Sequence, residues 1–91
     1  MTLEELYKVI EERKKSKPDE SYVASLFRDG TDRIVQKVGE EATEVVIAAK
    51  NESKQRVISE MADLWFHTLV LLNNLEIKPS EVLEELEKRQ K

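Results

Sequence analysis

Apolar residues recur every three or four positions along most of this chain, a spacing typical of α-helices that bury one face. Prolines, glycines and short polar runs interrupt the pattern, and we expect a helix between each pair of interruptions. The helices are predicted at about residues 3–15, around Tyr22 to Phe27, at about 32–50, at about 54–75, and from Pro79 onward. The pattern therefore predicts an all-α protein.

Capping residues support these boundaries. Thr2 and Glu5 have the spacing of a capping box, in which each side chain accepts a hydrogen bond from the other residue's amide. Gly30 is expected to end the short helix in the left-handed conformation, which glycine adopts without steric cost. Thr31 or Asp32 is then expected to cap the next helix.

The two long helices differ in how their apolar residues are arranged. The helix at 32–50 has a one-sided stripe, and Ile47 points nearly opposite to it. The stripe consists of Ile34, Val35, Val38, Ala42, Val45, Val46 and Ala49. The helix at 54–75 is apolar nearly all round, apart from a polar wedge about 60° wide. The wedge contains Arg56, Glu60, Asp63, His67 and Asn74.

A helix that is apolar nearly all round needs neighbours on nearly every side. A chain of 91 residues is too short to cover the helix at 54–75 completely and to cover Ile47 as well. We therefore predict a small helical bundle whose four-helix-type packing is completed by dimerisation, and we expect a homodimer.

Composition narrows the class of protein further. The length fits one domain over residues 1–91, and the absence of cysteine excludes disulfides and thiolate metal sites. The net charge is −4 without a basic stripe, so nucleic acid is not expected as a partner. Neither a leader-like segment nor an apolar run of about eighteen residues occurs. We therefore expect no membrane association and a cytoplasmic location.

Five acids near the middle of the chain carry the chemical signal. Glu40, Glu41 and Glu44 lie in one long helix, and Glu60 and Asp63 lie in the next. Carboxylates three positions apart share a helix face, so antiparallel packing would make both groups converge. Like charges at that distance repel unless a cation neutralises them, and an all-oxygen site suits Mg²⁺ or Mn²⁺ better than zinc. The pattern predicts a hard-metal site in a phosphate-handling enzyme.

Ordinary solvated helix charge is the alternative for the acids at 40, 41 and 44, with Lys37 one turn before Glu41 as a pairing partner. This alternative is weaker for Glu60 and Asp63, which lie in an apolar helix. Burying a carboxylate there lowers the stability of the fold by several kcal/mol unless the carboxylate is paired with a cation or bound to a metal. The residues alone leave both interpretations open and favour metal binding.

Four longer sequence segments, two of which contain the acids, resemble those of a known enzyme family. These are the runs QKVGEEATEVVIAAK from Gln36 to Lys50, EMADLWFH from Glu60 to His67, LYKVIEER from Leu6 to Arg13, and SYVA from Ser21 to Ala24. Together they resemble the phosphoribosyl-ATP pyrophosphohydrolase branch of the MazG-like nucleoside triphosphate pyrophosphohydrolases, which have an all-α fold. The acid pattern marks the superfamily and QKVGEEATE is more specific to the branch. The resemblance covers nearly the whole chain.

The resemblance implies that water and phosphoribosyl-ATP give phosphoribosyl-AMP and pyrophosphate, the second step of histidine biosynthesis. It implies Mg²⁺ as the cofactor, with Mn²⁺ as a substitute, and functional coupling to phosphoribosyl-AMP cyclohydrolase. The implied metal ligands are Glu41, Glu44, Glu60 and Asp63. The implied catalytic residues are Glu40, Glu41 and Glu44, with Glu40 orienting or deprotonating the attacking water or supporting a ligand. One metal ion or two are both compatible with the motif.

Basic residues beside the acids are candidates to contact substrate phosphates. Lys37 could donate to a phosphate, or it could serve only as the intrahelical partner of Glu41. Lys50 and Arg56 lie near the ends of the two acid helices, and surface solvation is the alternative role for each.

Two ring-bearing residues have open roles. His67 lies one turn from Asp63 and is either a hydrogen-bonded core residue or a contact to the substrate. Tyr22 is expected to pack in the core, and stacking on a base is its alternative role.

Two other functions stay open at this point. A related hydrolase of ordinary or damaged nucleoside triphosphates would use the same acids, because these handle only the triphosphate. A non-catalytic helical dimerisation module would keep its metal affinity unchanged in Glu60→Gln or Asp63→Asn variants. The long match from Gln36 to Lys50 favours phosphoribosyl-ATP as the substrate.

Overall fold

The computed structural model describes residues 1–51 and 53–90, and within those ranges the chain forms five α-helices. They are α1 (Leu3–Arg13), α2 (Tyr22–Asp29), α3 (Thr31–Lys50), α4 (Lys54–Asn74) and α5 (Pro79–Lys88). The predicted all-α fold is confirmed, with the first helix ending two residues earlier than expected. Glu52, in the predicted break after α3, and Lys91, the last residue of the predicted domain, lie outside the described residues.

Side-chain caps begin three of the helices. Thr2 accepts from the amide of Glu5 and Glu5 accepts from the amide of Thr2, which confirms the capping box. Ser21 accepts from the amide of Ala24 at the start of α2, and Ser53 accepts from the amide of Arg56 at the start of α4. The expected cap of α3 by Thr31 or Asp32 is wrong, because α3 follows Gly30 directly and both residues are already helical.

Helices α3 and α4 run antiparallel and form the centre of the structure. At one end Thr31 Oγ1 accepts from Asn74 Nδ2 at 2.8 Å. Near the other end Glu44 lies 3.9 Å from Arg56. Helices α1 and α2 pack against this pair and enclose a core. The core consists of Ile10, Val23, Leu26, Ile34, Leu69 and Val70.

The stripe predicted on α3 is only partly buried within one chain. Ile34 is completely buried, but Val35 and Val46 are about half exposed, and Ala48 is buried where Ala49 was expected. The physical reason is that α2 and α4 are the main neighbours of α3, and they do not cover its whole apolar face. Ile47 is 42% exposed, as its position on the wheel predicts.

Buried polar side chains in the interior are hydrogen-bonded. Asn73 accepts from Lys14 Nζ at 3.1 Å and donates to Glu11 Oε2 at 3.2 Å, so it ties α1 to α4. In the described residues no buried side-chain nitrogen or oxygen lacks a partner. This agrees with the cost of leaving a buried polar group unpaired.

Two apolar grooves open on one side of the structure and meet at Trp65, which is 56% exposed. The larger, of about 340 Å³, lies between α4 and α5 and is lined by residues such as Leu69, Leu83 and Leu86. The smaller lies along the first half of α4, beside Ile58. Among the described helices, none combines the length and the apolar character that crossing a membrane requires.

Gly30 joins α2 to α3 with φ of +94° and ψ of −178°. The expected positive φ is present, but ψ is extended, so the residue is not in the left-handed helical conformation. An L-residue adopts this conformation only with strain. The linkage therefore depends on glycine.

Gly30→Ala is expected to lower the free energy of unfolding by about 1–3 kcal/mol, because alanine is strained at this φ. An added Cβ would meet no atom within 4 Å, so crowding does not contribute. Gly39→Ala is the matched control, since Gly39 lies inside α3 with equal space around it. Alanine there is expected to raise stability by about 1 kcal/mol. Urea unfolding measures both, and an unchanged Gly30→Ala variant would contradict the argument.

Candidate active site

Three carboxylates from α3 and α4 converge in the structure. One oxygen each from Glu41, Glu60 and Asp63 lies within 4.8 Å of the other two. The antiparallel arrangement produces this, because Glu60 and Asp63 are three apart on α4 and present the same face to α3. We call these three residues the acid cluster. The predicted convergence of both helices at one point is confirmed for this subset of the acids.

The acid cluster is only partly open to water. The side chains of Glu41 and Glu60 are 13% and 18% exposed, whereas Asp63 is exposed. Repulsion between carboxylates is stronger at such shielded positions than in bulk water. The cluster therefore needs compensating positive charge.

The protein supplies only part of that charge. Lys37 Nζ lies 3.6 Å from Glu41, and Arg56 lies 3.9 Å from Glu60. Within the described residues, two cations, Lys37 and Arg56, form all the ion pairs with the five acids of the motif. Asp63 is the acid for which the described residues provide no ion pair. An all-oxygen donor set with a deficit of positive charge fits a hard divalent cation.

Glu44 stands apart from the acid cluster. Its Oε2 lies 3.9 Å from Arg56, which also pairs with Glu60, so Arg56 bridges α3 and α4 beside the cluster. Glu44 would have to turn away from Arg56 to become a fourth ligand. Its predicted role as a metal ligand and catalytic residue stays a prediction.

Lys37 connects Glu40 to the acid cluster. Its Nζ lies 3.4 Å from Glu40 and 3.6 Å from Glu41. Burial, the largest single influence, lowers the pKa of Lys37, but the Tyr22 side chain and the two glutamates together raise that pKa above its ordinary 10.5. The contribution of the ammonium to stability is complete below 10.5 and is lost only as the pH rises through the folded pKa. Lys37 is therefore cationic at neutral pH.

Glu40 lies outside the acid cluster and is solvent-exposed. Its carboxylate accepts from Gln36 Nε2 at 3.2 Å and pairs with Lys37. Because Glu40 is exposed and shares Lys37 with Glu41, its carboxylate has access to water next to the acid cluster. The predicted role of Glu40 in orienting the attacking water requires such access. Lys50 is exposed at the carboxyl end of α3, and its contact with substrate stays a prediction.

His67 is buried and both of its ring nitrogens are engaged. Nδ1 lies 2.7 Å from the backbone oxygen of Asp63, and Nε2 lies 2.8 Å from the hydroxyl of Tyr22. This arrangement matches the first of its two predicted roles, a hydrogen-bonded core residue. The alternative, a direct contact to the substrate, would require Tyr22 to leave Nε2 and stays a prediction.

Sequence reasoning missed the place of Tyr22. The residue was expected to pack in the core, but it is 49% exposed, and its hydroxyl reaches into the structure. Tyr22 is the first residue of α2, at the edge of the structure's packed interior, and about half of its surface stays open to solvent. No local signal revealed its bond to His67, because the two residues are 45 positions apart.

Comparison with known proteins shows the family to which this chain belongs. Residues 3–90 match the phosphoribosyl-ATP pyrophosphohydrolase family. A phosphoribosyl-ATP pyrophosphatase of Methylibium petroleiphilum is 52% identical over 98% of this chain and 74% of the relative. The proteins of the same name from Geobacter sulfurreducens and Ruthia magnifica are 52% and 51% identical, over 96% and 92% of this chain and 81% and 80% of the relatives. The chain thus belongs to the phosphoribosyl-ATP pyrophosphohydrolase family, a family of hydrolases.

Proposed function

We propose that this protein hydrolyses phosphoribosyl-ATP to phosphoribosyl-AMP and pyrophosphate in histidine biosynthesis, with Mg²⁺ as its cofactor. The observation that carries the proposal is the acid cluster, which gathers three carboxylates within 4.8 Å in a member of this family. Such a cluster has no evident structural benefit, since its charges repel. It is consistent with binding a cation together with a triphosphate.

The residues of the acid cluster, Glu41, Glu60 and Asp63, would hold the Mg²⁺, and Mn²⁺ would substitute. When bound, the ion would neutralise phosphate charge and lower the pKa of a coordinated water. Glu44 is the candidate fourth ligand. If Glu44 and Glu60 both turn toward the ion, Arg56 loses both of its carboxylate partners and becomes available to donate to a phosphate oxygen, which couples the predicted roles of Glu44 and Arg56.

The other charged residues would act on the water and the phosphates. Hydrolysis forms a bond from the water oxygen to the α-phosphorus and breaks the bond from that phosphorus to the bridging oxygen of the leaving pyrophosphate. Glu40, exposed beside the cluster, would orient the water and accept its proton. Lys37 is cationic at neutral pH and would donate to the phosphates. Lys50, at the end of α3, is the most remote candidate for a phosphate contact.

We also propose that the protein is a homodimer that acts in the cytoplasm. The apolar grooves around Trp65 support dimerisation, because a large exposed apolar patch on a small domain is unfavourable in water. A second copy would cover them and complete the four-helix-type packing. Phosphoribosyl-AMP, the proposed product, is the substrate of the cyclohydrolase, so functional coupling to that enzyme follows from the same proposal.

A substrate panel tests the proposed substrate. With Mg²⁺ present, pyrophosphate release from phosphoribosyl-ATP is expected to exceed that from ATP, dCTP and dUTP by at least about 100-fold in kcat/KM, because a site built for a polar substrate rejects analogues that lack its groups. Omitting Mg²⁺ is the control. Faster turnover of a plain nucleoside triphosphate would instead support the alternative, a hydrolase of ordinary or damaged nucleotides.

A further inference from the structure

The hydrogen bonds of His67 fix its tautomer. The backbone oxygen of Asp63 can only accept, so Nδ1 carries the proton. In the neutral ring Nε2 is then an acceptor, and the hydroxyl of Tyr22 donates to it at 2.8 Å. The imidazole is 5% exposed, so water does not compete for either bond. His67 therefore holds the tip of the Tyr22 ring in one place.

Two further aromatic contacts support the same ring. The rings of Tyr22 and Phe66 lie nearly parallel, with centroids 6.4 Å apart and planes at 23°. The ring of His67 meets Tyr22 edge-on at 5.8 Å and 81°. Tyr22 is nevertheless 49% exposed, so part of this supported ring faces solvent. A rigid, open aromatic surface can stack on a ligand with little loss of side-chain freedom.

The open ring lies beside the acid cluster. His67 is one turn along α4 from Asp63 and bonds to that residue's own backbone. On the α3 side, Tyr22 is close enough to Lys37 to influence its pKa, and Lys37 pairs with Glu41. Tyr22 thus borders the place where the phosphates of a nucleotide would bind, and it is linked to that place through His67 on α4 and Lys37 on α3.

We propose that Tyr22 is the stacking surface for the purine base of the substrate and that His67 is a positioning residue that holds it. The inference rests on the proposed function only for the identity of the nucleotide. A base attached to phosphates at the acid cluster must lie within one ribose of them, and a supported aromatic ring at that border has the chemistry to receive it. His67 does not touch the substrate and acts through the hydroxyl of Tyr22.

Removing the ring tests the stacking surface. Tyr22→Leu is expected to raise KM for phosphoribosyl-ATP by about tenfold or more with a much smaller change in kcat, which is the effect of losing one stacked base. The affinity for AMP is expected to fall by a similar factor, whereas the affinity for pyrophosphate with Mg²⁺ stays unchanged. Tyr7→Phe, at the other tyrosine, is the control; Tyr7 lies on α1 in a groove with Glu4, Glu11 and Lys78, and this groove includes no residue of the acid cluster. A Tyr22→Leu variant that binds AMP as tightly as the wild type would overturn the proposal.

Removing the hydrogen bond tests the positioning role. Tyr22→Phe and His67→Leu are each expected to raise KM by about three- to tenfold, and the double variant is expected to be no worse than either, because both lose the same bond. His67→Gln, whose amide oxygen can still accept from the hydroxyl, is expected to restore much of the affinity. Additive effects in the double variant would contradict a shared role. Urea unfolding of each variant separates loss of folding from loss of binding.

The binding measurement also separates this inference from the proposed function. NMR signals of the Tyr22 ring are expected to shift when AMP is added and to stay unchanged when pyrophosphate is added. Binding of AMP can be measured whether or not the protein hydrolyses phosphoribosyl-ATP. If the wild type fails to hydrolyse phosphoribosyl-ATP but the Tyr22 signals respond to AMP, the proposed substrate is wrong and the stacking surface stands. If hydrolysis occurs and the signals do not respond, the stacking surface is wrong.

Discussion

Asp63→Asn is expected to lower kcat for phosphoribosyl-ATP by about 100-fold or more. Loss of a group that merely supports a metal ligand typically costs about 10- to 100-fold, so loss of the ligand charge itself should cost at least the upper end of that range. The substitution keeps the size of the side chain and removes the one carboxylate of the acid cluster for which the described residues provide no ion pair. Steady-state pyrophosphate release at saturating Mg²⁺ measures the effect.

The same variant has a second expected result that separates catalysis from folding. In EDTA its melting temperature should rise, because neutralising Asp63 removes repulsion from Glu41 and Glu60. Asp19→Asn is the matched control, since Asp19 is an exposed aspartate in the segment before α2 and should alter neither activity nor stability. An Asp63→Asn variant that keeps wild-type activity would exclude Asp63 from the metal site.

Trp65→Glu is expected to weaken dimerisation by more than about 100-fold. Trp65 lies where the two apolar grooves meet, so a carboxylate there would be buried without a partner in the proposed dimer, which costs several kcal/mol. Each tenfold change in the dissociation constant corresponds to about 1.4 kcal/mol. Analytical ultracentrifugation over a range of concentrations gives the dissociation constant.

Val9→Glu is the control for this experiment. Val9 is a large apolar residue on α1 that is 41% exposed and lines neither groove, so the added charge should leave the dimer intact. If Trp65→Glu is as dimeric as the wild type, the grooves are not the interface. Equal dissociation of both variants would indicate a general effect of added charge instead.

Much of the fold could be predicted because helix formation depends on local spacing. The capping box at Thr2 and the start of α5 at Pro79 depend on a few adjacent residues, and both are as expected. The start of α3 was less predictable because the helix could begin either after a side-chain cap at Thr31 or Asp32 or directly after Gly30, as it does in the structure. Thr31 could have capped the helix, but its hydroxyl instead accepts from Asn74 at the far end of α4.

The sequence predicted that acids from the two long helices converge, but it could not show which of the acids form the cluster. Spacing alone puts Glu41 and Glu44 on one face of α3, and it cannot tell which of them meets α4 at the level of Glu60. In the structure a carboxylate oxygen of Glu41 lies within 4.8 Å of those of Glu60 and Asp63, while Glu44 pairs with Arg56, one turn along α4 from Glu60. The difference depends on the axial offset of the two helices, which packing sets.

Contacts between distant segments lay beyond sequence reasoning. Whether Tyr22 reaches His67 depends on how α2 packs near α4, and no periodicity encodes that arrangement. The exposure of Val46 has a similar cause, since a pattern identifies an apolar face without showing whether its neighbour belongs to the same chain. The predicted dimer would cover such faces and stays a prediction.

The most direct test of the account is a Mn²⁺ titration followed by electron paramagnetic resonance, in which bound ion loses the signal of free aqueous Mn²⁺. The wild type is expected to bind Mn²⁺ in competition with Mg²⁺, and Glu41→Gln and Glu60→Gln are each expected to weaken binding by about 10- to 100-fold or more. Equal affinity in the wild type and both variants would contradict the central claim, because the acid cluster would then hold no metal and its charges would be those of an ordinary helical module.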